Sequence, residues 1–184
     1  MKLRLVLTLA IAGLFVAAPV SAAPLVREHY SGTESFDFDD CGFVIHVENT
    51  FSGLFMLKPG KRGDPTPRLF DNYKSHEVVS ANGKFVTIDH NGLYKDLHVT
   101  RIEGTIYEFV AMEVGRPFTL RDMNGNLIVK DRGRLLVSFS VDTLGDSDLE
   151  NDIFVDGSFT LLRDSGSHPG FYIDFCDIVV PLLS

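Results

Sequence analysis

Arg134-Leu135-Leu136-Val137-Ser138-Phe139-Ser140-Val141 decides the fold. In an extended chain Leu135, Val137, Phe139 and Val141 share one face, and Ser138 and Ser140 fall on the other. Period two with one polar face marks a half-buried antiparallel strand. Phe43, Ile45 and Val47 alternate in the same way against Val44, His46 and Glu48, and Phe159 and Leu161 against Ser158 and Thr160. Such runs predict strands near 35–39, 42–50, 53–58, 73–80, 84–89, 94–102, 105–114, 117–121, 127–130, 134–142, 153–163 and 172–180. Asn82-Gly83, Asn91-Gly92, Asn124-Gly125 and Asp156-Gly157 are dipeptides that favour tight hairpin turns, the last reading equally as a bulge. The longest loop runs from Lys58 to Arg68 and carries Pro59, Gly60, Gly63, Pro65 and Pro67. No segment beyond the N-terminal one shows a helical stripe. The expected fold is all-β: an antiparallel meander closed into a β-barrel, which protects its edges, with a two-sheet β-sandwich as the alternative.

The N-terminus has its own pattern. Lys2 and Arg4 precede an apolar run from Leu5 to Ala18, Pro19 breaks it, and Val20-Ser21-Ala22 offers small residues to a signal peptidase. This is the layout of a signal peptide over residues 1–22, leaving 23–184 as one exported domain that begins at Ala23. The run is short for a permanent membrane span. The whole chain has 17 basic and 25 acidic residues, a net charge of −8. Loss of Lys2 and Arg4 takes the mature chain to −10, which speaks against nucleic acid or an anionic membrane as partner. Trp is absent, so no indole platform for sugars exists. Two cysteines, Cys41 and Cys176, in an oxidising compartment allow one intramolecular bridge. A bridge between them would tie the first predicted strand to the last.

Several stretches carry a resemblance: Phe36-Asp37-Phe38-Asp39-Asp40-Cys41-Gly42-Phe43, Gly63-Asp64-Pro65-Thr66-Pro67, Asp71-Asn72-Tyr73, Val141-Asp142-Thr143-Leu144-Gly145-Asp146, and Asp174-Phe175-Cys176 with Val179-Val180-Pro181. Together they resemble a group of exported, uncharacterised proteins of actinobacteria. The resemblance implies secretion and two cysteines of the conserved type, and no assigned activity. At the level of fold alone the chain is similar to small barrels such as the lipocalins, allene oxide cyclases and dirigent proteins.

Candidate chemistry is sparse. His76-Glu77-Val78-Val79-Ser80 lacks the second His and the helix of a zinc-protease motif. His46 and Glu48 share a strand face and could ligate a metal or trade protons, although opposite Phe43, Ile45 and Val47 they point to water. Glu108 shares a face with Ile106, Val110 and Met112; turned inward it would be a carboxyl in apolar surroundings, able to serve a ligand. If Tyr107, Phe109 and Ala111 face inward instead, Glu108 is solvated. Arg62-Gly63-Asp64 spells the integrin-recognised tripeptide inside an ordinary Gly/Pro loop. Asp142, Asp146, Asp148, Glu150 and Asp152 present hard oxygen ligands suited to calcium, but the EF-hand pattern fails at Asn151 and Gly157. No other cofactor is indicated. The expected function is a non-enzymatic exported barrel that binds a small apolar ligand or an extracellular partner. The alternatives are a cofactor-free isomerase or cyclase in a barrel cavity, or a structural surface protein without a pocket.

Overall fold

The computed structural model describes residues 26–60, 66–145 and 151–184. The signal-peptide segment, the Arg62-Gly63-Asp64 tripeptide and Asp146, Asp148 and Glu150 lie outside them. Strands β1 (Val26–Phe38), β2 (Ile45–Lys58), β3 (Arg68–Ala81), β4 (Lys84–Glu103), β5 (Ile106–Arg121) and β7 (Arg132–Asp142) form an antiparallel meander. The short strand β6 (Leu127–Lys130) pairs with β5, and β8 (Ile153–Phe154) and β9 (Thr160–Ser167) both pair with β7. Two helices follow, α1 (Pro169–Tyr172) and α2 (Phe175–Leu183).

The expected all-β meander is present, but hydrogen bonds do not close it into a barrel. The outer edge of β1 pairs with nothing among the described residues. Closure fails because the chain that was to supply the last strand, 172–180, is helical. Asp174 caps that helix, its side chain accepting from the Cys176 N–H at 2.8 Å, and Asp177 sits in the first turn where the helix dipole favours an acid. Phe175, Ile178, Val179, Leu182 and Leu183 then recur at helical spacing toward the sheet. They cover Ile45, Val47, Val79, Val86, Ile88, Leu120 and Val129, which fill one end of the sheet's inner face. Asn82 donates to the Leu183 carbonyl at 3.0 Å and Lys84 reaches the Ser184 carbonyl, so the β3–β4 turn satisfies the helix C-terminus.

The Cys41–Cys176 disulfide is formed, with Cα atoms 5.2 Å apart. It joins the β1–β2 connection to α2 rather than first strand to last, and so pins the helix over the core. Asn82-Gly83 makes the expected two-residue turn, both residues having positive φ (52° and 76°). Asn91-Gly92 makes no turn; it lies inside β4, where Tyr73 crosses Gly92 and a Cβ there would stand 2.6 Å from the Tyr73 hydroxyl. The expected strands 84–89 and 94–102 are therefore one, as are 105–114 and 117–121. Conversely 153–163 splits into β8 and β9 around the Asp156-Gly157 turn.

Candidate functional site

Directly opposed residues of paired strands point to the same face, so the register assigns each side chain to the inner or the outer face. On the outer face two rows run across the strands. One is Ser31, Ser52, Lys74, Asn91 and Arg116; the other is Thr33, Thr50, His76, Asp89, Thr119 and Lys130. The row between them, Gly32, Phe51, Ser75 and His90, directs its side chains inward, so its backbone forms a floor. Walls and floor enclose a groove of about 730 Å³, to which Arg121 adds a further cation.

A bulge shapes the floor. Between the pairs Asp89–Thr119 and Asn91–Arg116, the single residue His90 faces two residues of β5, Pro117 and Phe118. An extra residue bends the strand that carries it, and Pro is tolerated there because no ladder donor is needed. His90 Nδ1 lies 2.6 Å from the Pro117 carbonyl oxygen, which only accepts, so Nδ1 carries a proton. Nε2 lies 3.3 Å from Glu77 Oε1, an ion-pair distance without hydrogen-bond alignment. Burial works against a charged ring, but Glu77 and the Pro117 carbonyl outweigh it and raise the His90 pKa above its ordinary 6.5.

The lining is chemically one-sided. Lys74, Arg116, Arg121 and Lys130 have no carboxylate partner among the described residues. Among the described residues one acid lines the groove, Asp89, and it is held by His76 Nδ1 at 2.8 Å. Ser31, Thr33, Thr50, Ser52, Thr119 and Asn91 supply neutral donors and acceptors. In a chain of net charge −8 the groove gathers four cations that have no carboxylate partner among the described residues.

Adjacent to the Thr33–Thr50 wall lies a second arrangement. His46 Nδ1 is 2.6 Å from Asp37 Oδ1, and its Nε2 is 3.3 Å from the Ser35 hydroxyl and 3.9 Å from Glu48 Oε1. His46 and Glu48 thus do share a face. The Ser35 and Asp37 partners sit on the neighbouring strand, where no spacing within 42–50 could reveal them. The trio is open to solvent, the His46 side chain being 45% exposed.

Glu108 is not enclosed. Tyr107, Phe109 and Ala111 take the inner face, where Ala111 is fully buried, and Glu108 is exposed on the outer one, accepting from the Ser138 hydroxyl at 2.8 Å. Asp142 directs Oδ1 to the Thr105 hydroxyl at 2.6 Å and the Leu144 N–H at 3.0 Å, which organises the start of the acidic loop. Asp152 lies at its described far end. The inner face carries a different polar set beyond the core. Tyr30 donates to Asp71 at 3.0 Å, Tyr73 to Glu113, and Tyr94 to Asp96 at 2.9 Å. Burial raises Asp96 above the ordinary carboxylate range, opposed by donors from Leu69 and Tyr94, and burial with Asp71 pushes Tyr30 up to about 12.

Comparison with known proteins gives no match to a family model, a curated protein or a solved structure. The disulfide fits a non-reducing environment, and among the described residues no helix is long and apolar enough to cross a membrane.

Proposed function

We propose that this is an exported binding protein whose groove takes an acidic saccharide, a sugar chain bearing sulfate, phosphate or carboxylate groups. The observation that carries the reading is the lining: four cations without acidic partners among the described residues, beside a line of hydroxyls and an amide. Arginine forks and lysine ammoniums suit oxyanions, and Ser, Thr and Asn exchange hydrogen bonds with sugar hydroxyls. Such a surface suits an acidic, hydroxyl-bearing ligand better than the small apolar ligand that, with an extracellular partner, was expected from the sequence. The overall negative charge repels polyanions at long range, while the groove attracts an acidic group at close range. Calorimetric titration with a heparin-derived sulfated hexasaccharide, with an uncharged hexasaccharide as control, tests it. Binding to the sulfated chain alone is expected, weakened about tenfold by each of Lys74→Gln and Arg116→Gln, about 1.5 kcal/mol per charge-assisted bond. Equal affinity for both sugars, or none for either, overturns it.

A second reading, ester hydrolysis, is favoured by Ser35, His46 and Asp37, whose distances follow the order nucleophile, base, orienting acid. It ranks second because the trio is exposed rather than set in a cleft. Fluorophosphonate labelling of Ser35 that disappears in His46→Ala would support it; absence of labelling removes it.

A further inference from the structure

The groove does not end at a wall. It runs out at β1, where Ser31, Gly32 and Thr33 line it and the far edge of the strand has no partner among the described residues. That edge is 13 residues long, pairs with β2 without a register shift, and contains neither Pro nor Lys, two of the devices that usually keep a sheet edge from pairing; its charges, Arg27, Glu28, Glu34 and Asp37, are of both signs. From this we infer that β1 pairs antiparallel with β1 of a second copy, about a two-fold axis at Gly32, and that the two half-grooves become one continuous binding channel. The inference rests on the groove being the binding site.

The register follows from the groove. Continuity of the floor requires Gly32 opposite Gly32 of the second copy. Ser31 then faces Thr33, so each wall of one copy runs into the other wall of its mate. An axis perpendicular to the sheet keeps both grooves on the same side. The register that continues the floor also places Arg27 opposite Asp37 and Glu34 opposite Tyr30, with no like charges directly opposed. Opposite charges at facing positions stabilise strand pairs, whereas like charges there destabilise them. At about 4.8 Å per strand, the channel would cross twelve strands and extend about 50 Å, a length suited to a polymer rather than a small molecule. Eight cations would line it, four from each copy.

Light scattering and paired cysteine cross-linking on the full exported chain decide the matter, and neither needs a ligand. The mass in solution is expected to be twice that of one chain. Ser31→Cys and Thr33→Cys are made separately, both at exposed positions, with Cys41 and Cys176 occupied by the native disulfide. After mild oxidation an equimolar mixture of the two is expected to yield a cross-linked pair several-fold more than either variant alone, because only the mixture brings the two thiols face to face. Matching melting curves for wild type and variants exclude misfolding. A single-chain mass, or equal cross-linking in the mixture and in each variant alone, overturns the pairing. Either result leaves the saccharide titration to stand or fall by itself.

Discussion

His90 shows how one side chain can hold a surface in shape. Its Nδ1 proton is committed to the Pro117 carbonyl at the bulge, so its other nitrogen meets the Glu77 carboxylate as a cation or as a lone pair facing negative charge. The folded pKa is therefore raised above 6.5. A histidine with a raised folded pKa contributes stability that is fully present below the unfolded value of about 6.5 and is lost as pH climbs through the folded value. The melting temperature should accordingly fall as pH rises from 6 to 8, and Glu77→Gln should flatten that dependence; a slope unchanged in Glu77→Gln would deny the ion pair its role. Gly92 is a second single-residue device. A methyl there meets the Tyr73 hydroxyl, which reaches over the glycine to Glu113. Gly92→Ala should destabilise by about 1–3 kcal/mol, as overpacking does, and the double variant with Tyr73→Ala should lose less than the sum of the two, measured by denaturant unfolding. Neither role was legible in the sequence. Asn91-Gly92 has the composition of a turn, and only the partner strand, carrying Tyr73, makes it a crossing point.

At the scale of elements, strand alternation was a sound guide and the helix was hidden. Leu135, Val137 and Phe139 do share the inner face of β7, as their period requires. Ile178-Val179-Val180 reads as strand because its residues are β-branched; the capping Asp174 and the stripe Phe175, Ile178, Val179, Leu182 carry the opposite message. The pairing of Cys41 with Cys176 was readable from parity and compartment, but which elements it joins was not. The bond closes a separation of 135 residues, and the chain-entropy model gives an upper figure of about 5 kcal/mol. Reduction should lower the unfolding midpoint in denaturant and release α2 first, visible as faster amide exchange at Val179 and Leu183; an unchanged midpoint would mean the helix packs without its clasp. For the acidic loop, melting in millimolar calcium and in excess chelator is expected to coincide, since Asp142 already serves Thr105 and Leu144. A calcium-dependent rise would assign the loop a metal.

The molecule as a whole separates its tasks by face and by end. One end of the inner face is closed by α2 over an apolar core, and the remainder holds tyrosine–carboxylate pairs. The outer face carries the groove, bent at the His90 bulge and cationic against the acidic background of the chain. Composition gives that background and conceals the exception, because Lys74, Arg116, Arg121 and Lys130 lie on three different strands, β3, β5 and β6, and gather only through register. Barrel closure was the natural extrapolation from a meander; because Phe175–Leu183 folds as a helix over the core, β1 keeps one edge without a partner among the described residues. The proposed occupant of the groove is an acidic sugar chain. An amide NMR titration with the sulfated hexasaccharide tests it most directly. Shifts are expected to saturate along Thr50, Lys74, His76, Arg116 and Lys130 and to spare the inner-face pairs at Tyr30 and Tyr94. Shifts confined to the Tyr30–Asp71–Tyr94 side, or none at saturating sugar, would contradict it.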